Sequence, residues 1–376
     1  MKLFVLFLSV LVCWNVLSAD YVPGEYIVKT ANKSALKNYK SLSNDLYKVK
    51  LTEKEAALLK SKVEYIEPNY IYHAMAVPSK QWGLTSINVE KAWKKTKGSP
   101  KIIVGVIDTG VDYTHDALKS HIWKNTKEIA GNGIDDDNNG FIDDINGWDF
   151  ANKDNDPMDD NNHGTHCSGI VAADSTTLQG VAPRVTIMPL KFLTGEGSGT
   201  LEAAIEAINY GVRMGANVLS NSWGGGGYSE ALRDAIVAAK EKGVLFVAAA
   251  GNEYNDNDEQ PSYPASYEED NVIRVAASTS TGTKASFSNY GVKSVHIFAP
   301  GKDILSSIPG NKAASYSGTS MATPFVSGLA ALLLSQDPKM DYGQVKDIIL
   351  NTANKLPGLK GLVQTDGQID AGAALK

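Results

Sequence analysis

The stretch Phe325-Val326-Ser327-Gly328-Leu329-Ala330-Ala331-Leu332-Leu333-Leu334 carries no charge and is apolar around nearly the whole circumference of a helix. A helix of that kind must be enclosed on every side rather than laid on a surface. Gly328, Ala330 and Ala331 supply the small side chains that let neighbours approach. The eight residues before it, Ser317-Gly318-Thr319-Ser320-Met321-Ala322-Thr323-Pro324, fix where it starts. Proline is tolerated only near a helix start, before its missing N–H is needed as a donor. The helix is therefore expected to begin close to Ser320, which leaves that hydroxyl among N–H groups with no partner inside the helix. Such an end favours negative charge, so Ser320 is either an N-cap or a nucleophile whose product oxyanion would be stabilised there.

Enclosing a helix takes a thick core. A chain of 376 residues with 43% hydrophobic and 21% charged residues can build one. Continuous apolar runs recur at Ile102–Ile107, 185–190, 216–220 and 244–249, with further strands expected at 272–277 and 295–299. Helical patterns at 201–214 and 230–242 separate them. Buried strands alternating with helices predict an α/β fold in three layers, a mainly parallel sheet covered on both faces. Sites in such folds lie at the carboxyl ends of strands. Asp108, Asn221-Ser222 and Gly251-Asn252 all fall at such ends.

The first 19 residues read as a secretory signal peptide, with Lys2 before the apolar run Leu3–Val12 and Ser18-Ala19 as a small-residue exit. The apolar run is too short to span a membrane. Cys13 would leave with this segment, so Cys167 remains and no internal disulfide can form. Residues 20–77 then have a character of their own. Gly24–Lys29 and Val63–Glu67 read as strands, and Thr52 to Lys60 as a helix opened by a Thr52/Glu55 capping box. This small α+β piece holds nine basic against seven acidic residues, and residues 78–376 hold 26 against 35. Opposite charges of that kind favour docking of one piece on the other. The formal net charge of -6 argues against a nucleic-acid partner.

Residues 131–160 form an Asp-rich insertion with ten aspartates and one lysine. Within it Asp135, Asp137, Asn139, the Phe141 carbonyl and Asp143 follow the spacing of a calcium loop, with Gly140 for the turn. Its twelfth position is Asn146 rather than Glu, so it is not a complete EF-hand, and a merely solvated acidic loop is the alternative.

Asn162-His163-Gly164-Thr165-His166-Cys167-Ser168-Gly169 opens a second buried helix, with His163 at its start. His163 and His166 could share a metal, but no third ligand follows in a recognisable pattern, and His166 reads as a packed helix residue. A serine hydroxyl is a poor nucleophile until a histidine takes its proton, and that histidine needs a carboxylate to fix its tautomer. Asp108, His163 and Ser320 occur in that order, each at a strand end or helix start.

With Val106-Ile107-Asp108-Thr109-Gly110-Val111, His163-Gly164-Thr165-His166, Ala249-Ala250-Gly251-Asn252-Glu253 and Gly318-Thr319-Ser320-Met321-Ala322-Thr323-Pro324 all in order, the chain resembles a subtilisin-like serine protease (subtilase) precursor. The resemblance runs from about Gln81 to the C-terminal Asp370–Ala374, and residues 25–73 resemble the family's inhibitory propeptide. It implies a secreted enzyme made as a zymogen. Residues 78–376 would be a subtilisin-like peptidase, and residues 20–77 a propeptide that inhibits it until cut near 73–78. Asp108 would orient, His163 act as general base and acid, Ser320 attack, and Asn252 donate to the oxyanion beside the Ser320 N–H. Ser222, Trp223 and Gly224 would bind the substrate backbone as an added strand and wall a side-chain pocket. Ser262 would lie near the floor of that pocket and Glu253 at its rim. With no acid at the floor, a broad endopeptidase acting on proteins and peptides is expected, working as a monomer without a catalytic cofactor. Relatives often carry a calcium-binding Asp just before the Leu that follows the first motif. Here the order is His115-Asp116-Ala117-Leu118. Loss of a triad residue would instead mark a binding protein on the same scaffold, and none is lost.

Overall fold

The computed structural model describes residues 21–36, 38–43, 45–70 and 81–375. The expected signal segment and the expected processing stretch at 73–78 lie outside them. The chain separates into two compact units, 1–76 and 77–376.

The first unit contains β1 (Tyr21–Lys29), β2 (Tyr39–Ser43), β3 (Leu46–Lys50), α1 (Glu53–Leu59) and β4 (Tyr65–Tyr70). The strands form an antiparallel sheet in the order β2-β3-β1-β4. The capping box expected from the sequence opens α1: Thr52 Oγ1 accepts the Glu55 N–H, and Glu55 accepts the Thr52 N–H. Val28, Tyr47, Val49 and Leu59 make the unit's own small core.

The second unit begins with α2 (Trp82–Ser86), α3 (Val89–Trp93) and β5 (Ile103–Asp108). The chain continues through β6 (Trp148–Asp149), α4 (His163–Ala172), β7 (Thr186–Lys191), α5 (Leu201–Arg213), β8 (Val218–Asn221) and α6 (Glu230–Glu241). Next come β9 (Leu245–Ala249), β10 (Val272–Ser278), β11 (Ile297–Pro300) and the hairpin β12 (Ile304–Ile308) with β13 (Lys312–Tyr316). It closes with α7 (Thr319–Gln336), α8 (Tyr342–Asn351), β14 (Asn354–Lys355), β15 (Gly367–Gln368) and α9 (Ala371–Ala374).

Nine strands form one sheet in the order β14-β15-β11-β10-β9-β8-β5-β7-β6. All pairs are parallel except β14 with β15. The twofold period of a strand sends alternate residues to opposite faces. Val104, Val218, Leu245, Val247 and Val275 pack into the layer that holds α4 and α7. Ile107, Leu190, Leu219, Phe246 and Val272 pack into the layer of α5 and α6. This is the three-layer α/β arrangement the apolar runs predict.

Every residue of α7 from Met321 to Leu334 is buried. A Cβ on Gly328 would stand 2.7 Å from that of Val181, so the small residue is what lets the loop after α4 approach. Leu329 is fully buried, and its replacement by Ala costs roughly 2–5 kcal/mol. From β5 the chain winds first toward β7 and then returns to place β8 on β5's other side. The strand order reverses there, and open parallel sheets form their clefts at such a reversal.

Candidate active site

Asp108 ends β5 and is fully buried. Its Oδ1 accepts the Thr109 N–H at 2.7 Å and faces His163 Nδ1, also at 2.7 Å. Its Oδ2 is buried without a hydrogen-bond partner. His163 is the first residue of α4 because Asn162 before it takes a left-handed backbone, φ 113°. Asn162 gives no side-chain cap. Thr109 Oγ1 accepts the Gly164 N–H instead, and Asp159 Oδ2 accepts that of Thr165. With Nδ1–H donating to the carboxylate, Nε2 is left as the ring's acceptor, and His163 lines the adjoining cavity. Burial disfavours the imidazolium, but the Asp108 carboxylate outweighs it and raises His163 well above the ordinary imidazole value.

Ser320 is the second residue of α7, as the sequence predicts to within one position. Its Oγ donates to the Ser222 carbonyl, just past the end of β8, at 3.0 Å rather than to His163. Its own N–H has no acceptor among the described residues. Asn252 stands beside it, exposed, with Oδ1 accepting both the Thr319 N–H (2.8 Å) and the Thr319 hydroxyl (3.0 Å). That fixes the amide, so its Nδ2 is free to donate. A Cβ built on Gly318 would stand 3.6 Å from Ser320 N and 3.8 Å from the Asn252 amide, so both donors border one space.

The proline lies deeper than expected, at the sixth position of α7. Its absent N–H would have bonded the Ser320 carbonyl four residues back. Ser222 Oγ (2.8 Å) and Cys167 Sγ (3.5 Å) donate to that carbonyl instead. Burial pushes the Cys167 thiol up, which keeps it a protonated donor. Cys167 also lies 3.9 Å from His163 Nδ1, so one thiol touches both helix starts. His166 is buried and stacked on Tyr316 at 4.6 Å, a packed helix residue as expected.

Ser222, Trp223 and Gly224 follow β8 and line a cavity of about 730 Å³ that also reaches His163, Phe192 and Leu201. Trp223 packs edge-on against Phe192 at 4.9 Å. A Cβ added to the neighbouring Gly225 or Gly227 would meet no atom within 4 Å, so that edge is open. Ser262 lies beside Gly224, where an added Cβ would stand 4.0 Å from its Oγ. Glu253 is exposed, yet its carboxylate accepts from Asn289 Nδ2 at 2.7 Å and its N–H donates to Asn289 Oδ1 at 2.8 Å.

In the Asp-rich insertion the structure rearranges the expected ligand set. Asp135 and Asp137 come together with Glu128, with oxygens of all three within 4.8 Å of one another. Asp143 is not in this group. Its left-handed backbone, φ 55°, turns its carboxylate onto the N–H groups of Gly131, Asn132 and Gly133. The Asn139 side chain is engaged elsewhere, its Oδ1 accepting from the Phe141 N–H and its Nδ2 donating to Asp144, while its backbone N–H donates to Asp135 and Asp137. The Phe141 ring packs against Trp148 and Tyr210. Asp116, in the segment after the first motif, pairs with Lys119 at 2.6 Å. The ties of Thr109 to Asp159 and Lys191 give no signal in the sequence, because they span fifty and eighty-two positions, and Glu128 lies outside the Asp-rich stretch.

Residues 99–368 match the model of the Subtilase family. The chain belongs to that family and is a subtilisin-like serine endopeptidase. It is 41% identical over 305 residues to a thermophilic serine proteinase of Bacillus sp. (strain AK1), covering 79% of this chain and 69% of that protein. It is 38% identical over 301 residues to thermitase of Thermoactinomyces vulgaris, covering 79% and 96%. It is 36% identical over 286 residues to subtilisin DY of Bacillus licheniformis, covering 75% and 93%.

Proposed function

We propose that this endopeptidase cleaves peptide bonds through Asp108, His163 and Ser320 and an acyl-enzyme intermediate. The observation that carries the reading is the 2.7 Å contact between His163 Nδ1 and buried Asp108, beside a serine at a helix start. Ser320 Oγ leaves the Ser222 carbonyl by side-chain rotation and gives its proton to His163 Nε2 as it attacks the substrate carbonyl. Asp108 holds the tautomer and steadies the imidazolium. The developing oxyanion takes hydrogen bonds from the Ser320 N–H and Asn252 Nδ2. His163 then protonates the leaving amine, and water repeats the sequence in reverse to release the acid. The substrate backbone lies as a strand along 222–225.

Broad specificity fits a Glu253 already engaged by Asn289. A peptide-library profile with absolute Lys or Arg selection at P1 would refute it. Among the described residues no helix is long and apolar enough to cross a membrane. The leader-like N-terminus and the separate small unit support a secreted, monomeric zymogen whose residues 20–77 inhibit it until removed. Mass spectrometry of wild-type and Ser320→Ala protein, expressed from residue 20 with calcium, tests this. Wild type should lose about 55 residues, the length from 20 to a cut near 73–78, and the mutant should stay whole. If the mutant is trimmed as fast as wild type, Ser320 is not the nucleophile; sedimentation of the product checks the monomer.

Calcium fits Glu128, Asp135 and Asp137. Three clustered carboxylates repel one another, no ion pair joins them to Lys or Arg among the described residues, and an all-oxygen set suits a hard cation. Bound there, calcium would supply structural stability and take no part in the reaction.

A further inference from the structure

We propose that Asp159, acting through the hydroxyls of Thr109 and Thr165, is the positioning residue that sets the contact between Asp108 and His163. The proposal rests on the triad reading above. Asp159 is 5% exposed, Thr109 1% and Thr165 0%, so water cannot stand in for any of them.

One carboxylate gathers five hydrogen bonds. Oδ1 accepts from Thr109 Oγ1 (2.8 Å) and from the N–H groups of Asn161 and Asn162 (3.0 Å each). Oδ2 accepts from the Thr165 N–H (2.9 Å) and hydroxyl (2.6 Å). Because both hydroxyls spend their protons on Asp159, their lone pairs must face donors, and they do. Thr109 Oγ1 accepts the Gly164 N–H at 2.9 Å, and Thr165 Oγ1 accepts the Asp112 N–H at 2.9 Å.

The chain positions give this its meaning. Thr109 follows Asp108 and Gly164 follows His163, so a single oxygen, Thr109 Oγ1, joins the residues next to both partners. Thr165 and Asp112 repeat the tie further along each element. The clamp also caps α4, which the left-handed Asn162 leaves without a side-chain acceptor, and it puts a negative charge at the positive helix end. From the other side Lys191, 1% exposed, holds the Thr109 carbonyl (2.8 Å), the Leu193 carbonyl (2.8 Å) and Asp160 (2.6 Å). The strand end is thereby braced from two directions. The ionisable groups around His163 are Asp108 from β5 and Cys167 and His166 from α4, with Asp159 and the Lys191–Asp160 pair below. The α7 group in reach, the Ser320 carbonyl, is uncharged.

The test compares Thr109→Val, Thr109→Ser and Asp159→Ala with wild type. It reads kcat and KM on a peptide substrate across pH, thermal unfolding, and the downfield proton resonance of His163 Nδ1–H. Thr109→Val keeps shape and charge and removes only the relay. It should lower kcat roughly 10- to 100-fold with KM within about twofold, the mark of lost alignment rather than lost binding. The acid limb should move to lower pH and the Nδ1 proton upfield, since a looser Asp108 stabilises the imidazolium less. Thr109→Ser should recover most of the loss, and Asp159→Ala should go the same way as Val and further. If Thr109→Val unfolds at lower temperature but keeps wild-type kcat, acid limb and Nδ1 resonance, the clamp is only structural and the proposal falls. Asp108→Ala and His163→Ala separate the two readings. Their retaining activity would sink the triad itself, whereas their losing it while Thr109→Val stays active would sink the clamp alone.

Discussion

Gly164→Ala isolates how the distance between α4 and the end of β5 controls the enzyme. The added Cβ would stand 2.0 Å from the Gly110 carbonyl oxygen and 3.1 Å from Asp108 Cβ. Both lie on the strand end, so no flexible side chain can move aside. Relief to an ordinary contact requires about 1 Å of separation between helix start and strand end. His163 is the residue before Gly164, and its Nδ1 lies 2.7 Å from Asp108. The same movement opens that contact to about 3.7 Å, outside hydrogen-bond range. A misplacement of that size costs about 100-fold in kcat. Overpacking of this kind costs roughly 1–3 kcal/mol of stability, a drop in Tm of a few degrees, on the order of 2–6 °C. Steady-state kinetics on a peptide substrate, with calorimetry on the same preparation, measure both. A variant with kcat within about threefold of wild type, folded and with unchanged Tm, would refute the reasoning.

Three further outcomes follow from the proposed roles. Asn252→Ala should reduce kcat about 10²- to 10³-fold with little change in KM, the loss known when subtilisin itself loses its oxyanion asparagine and borrowed here from that relative; a loss confined to KM would contradict it. His163 must be neutral to accept a proton, and the Asp108 carboxylate raises it, so kcat/KM should fall with decreasing pH through a value above that of free imidazole. Asp108→Asn should move that limb to lower pH while the plateau drops about 10⁴-fold; a limb that does not move would remove Asp108 as its cause. Chelation of calcium, or Glu128→Gln, should lower Tm in calcium buffer, and the chelator should have little further effect on the variant; equal melting of all samples would exclude a cation at Glu128, Asp135 and Asp137.

The residues proposed for catalysis are legible because each ends or begins an element with a local signature. An apolar run stops at Asp108, and small-residue helices start at His163 and at Thr319, just before Ser320. The Thr52/Glu55 cap is legible for the same reason, being complete within four residues. The supports are not legible. Asp159 binds Thr109 across fifty positions, and Lys191 binds Thr109 across eighty-two. No local pattern announces such pairings. The spacing of the insertion does not foretell which of its carboxylates cluster. Alternating oxygens point to Asp143, but a left-handed backbone there spends the carboxylate on three turn amides, and Glu128 enters from outside the loop. Pro324 can sit deeper than helix rules suggest because the carbonyl it orphans, that of Ser320, finds Ser222 and Cys167 from other elements.

The order of the strands has a consequence for synthesis. Asp108 leaves the ribosome early, while Ser320 rides on α7, which packs against α4, β5 and β8 to β11, all made before it, and against α8, made after it. About 200 residues separate the two, roughly 10–40 s of translation. Once residue 163 has been made, the growing chain carries Asp108 and His163 without the serine proposed to attack. On the proposed triad, a chain truncated before α7 would lack Ser320 and with it the attacking hydroxyl.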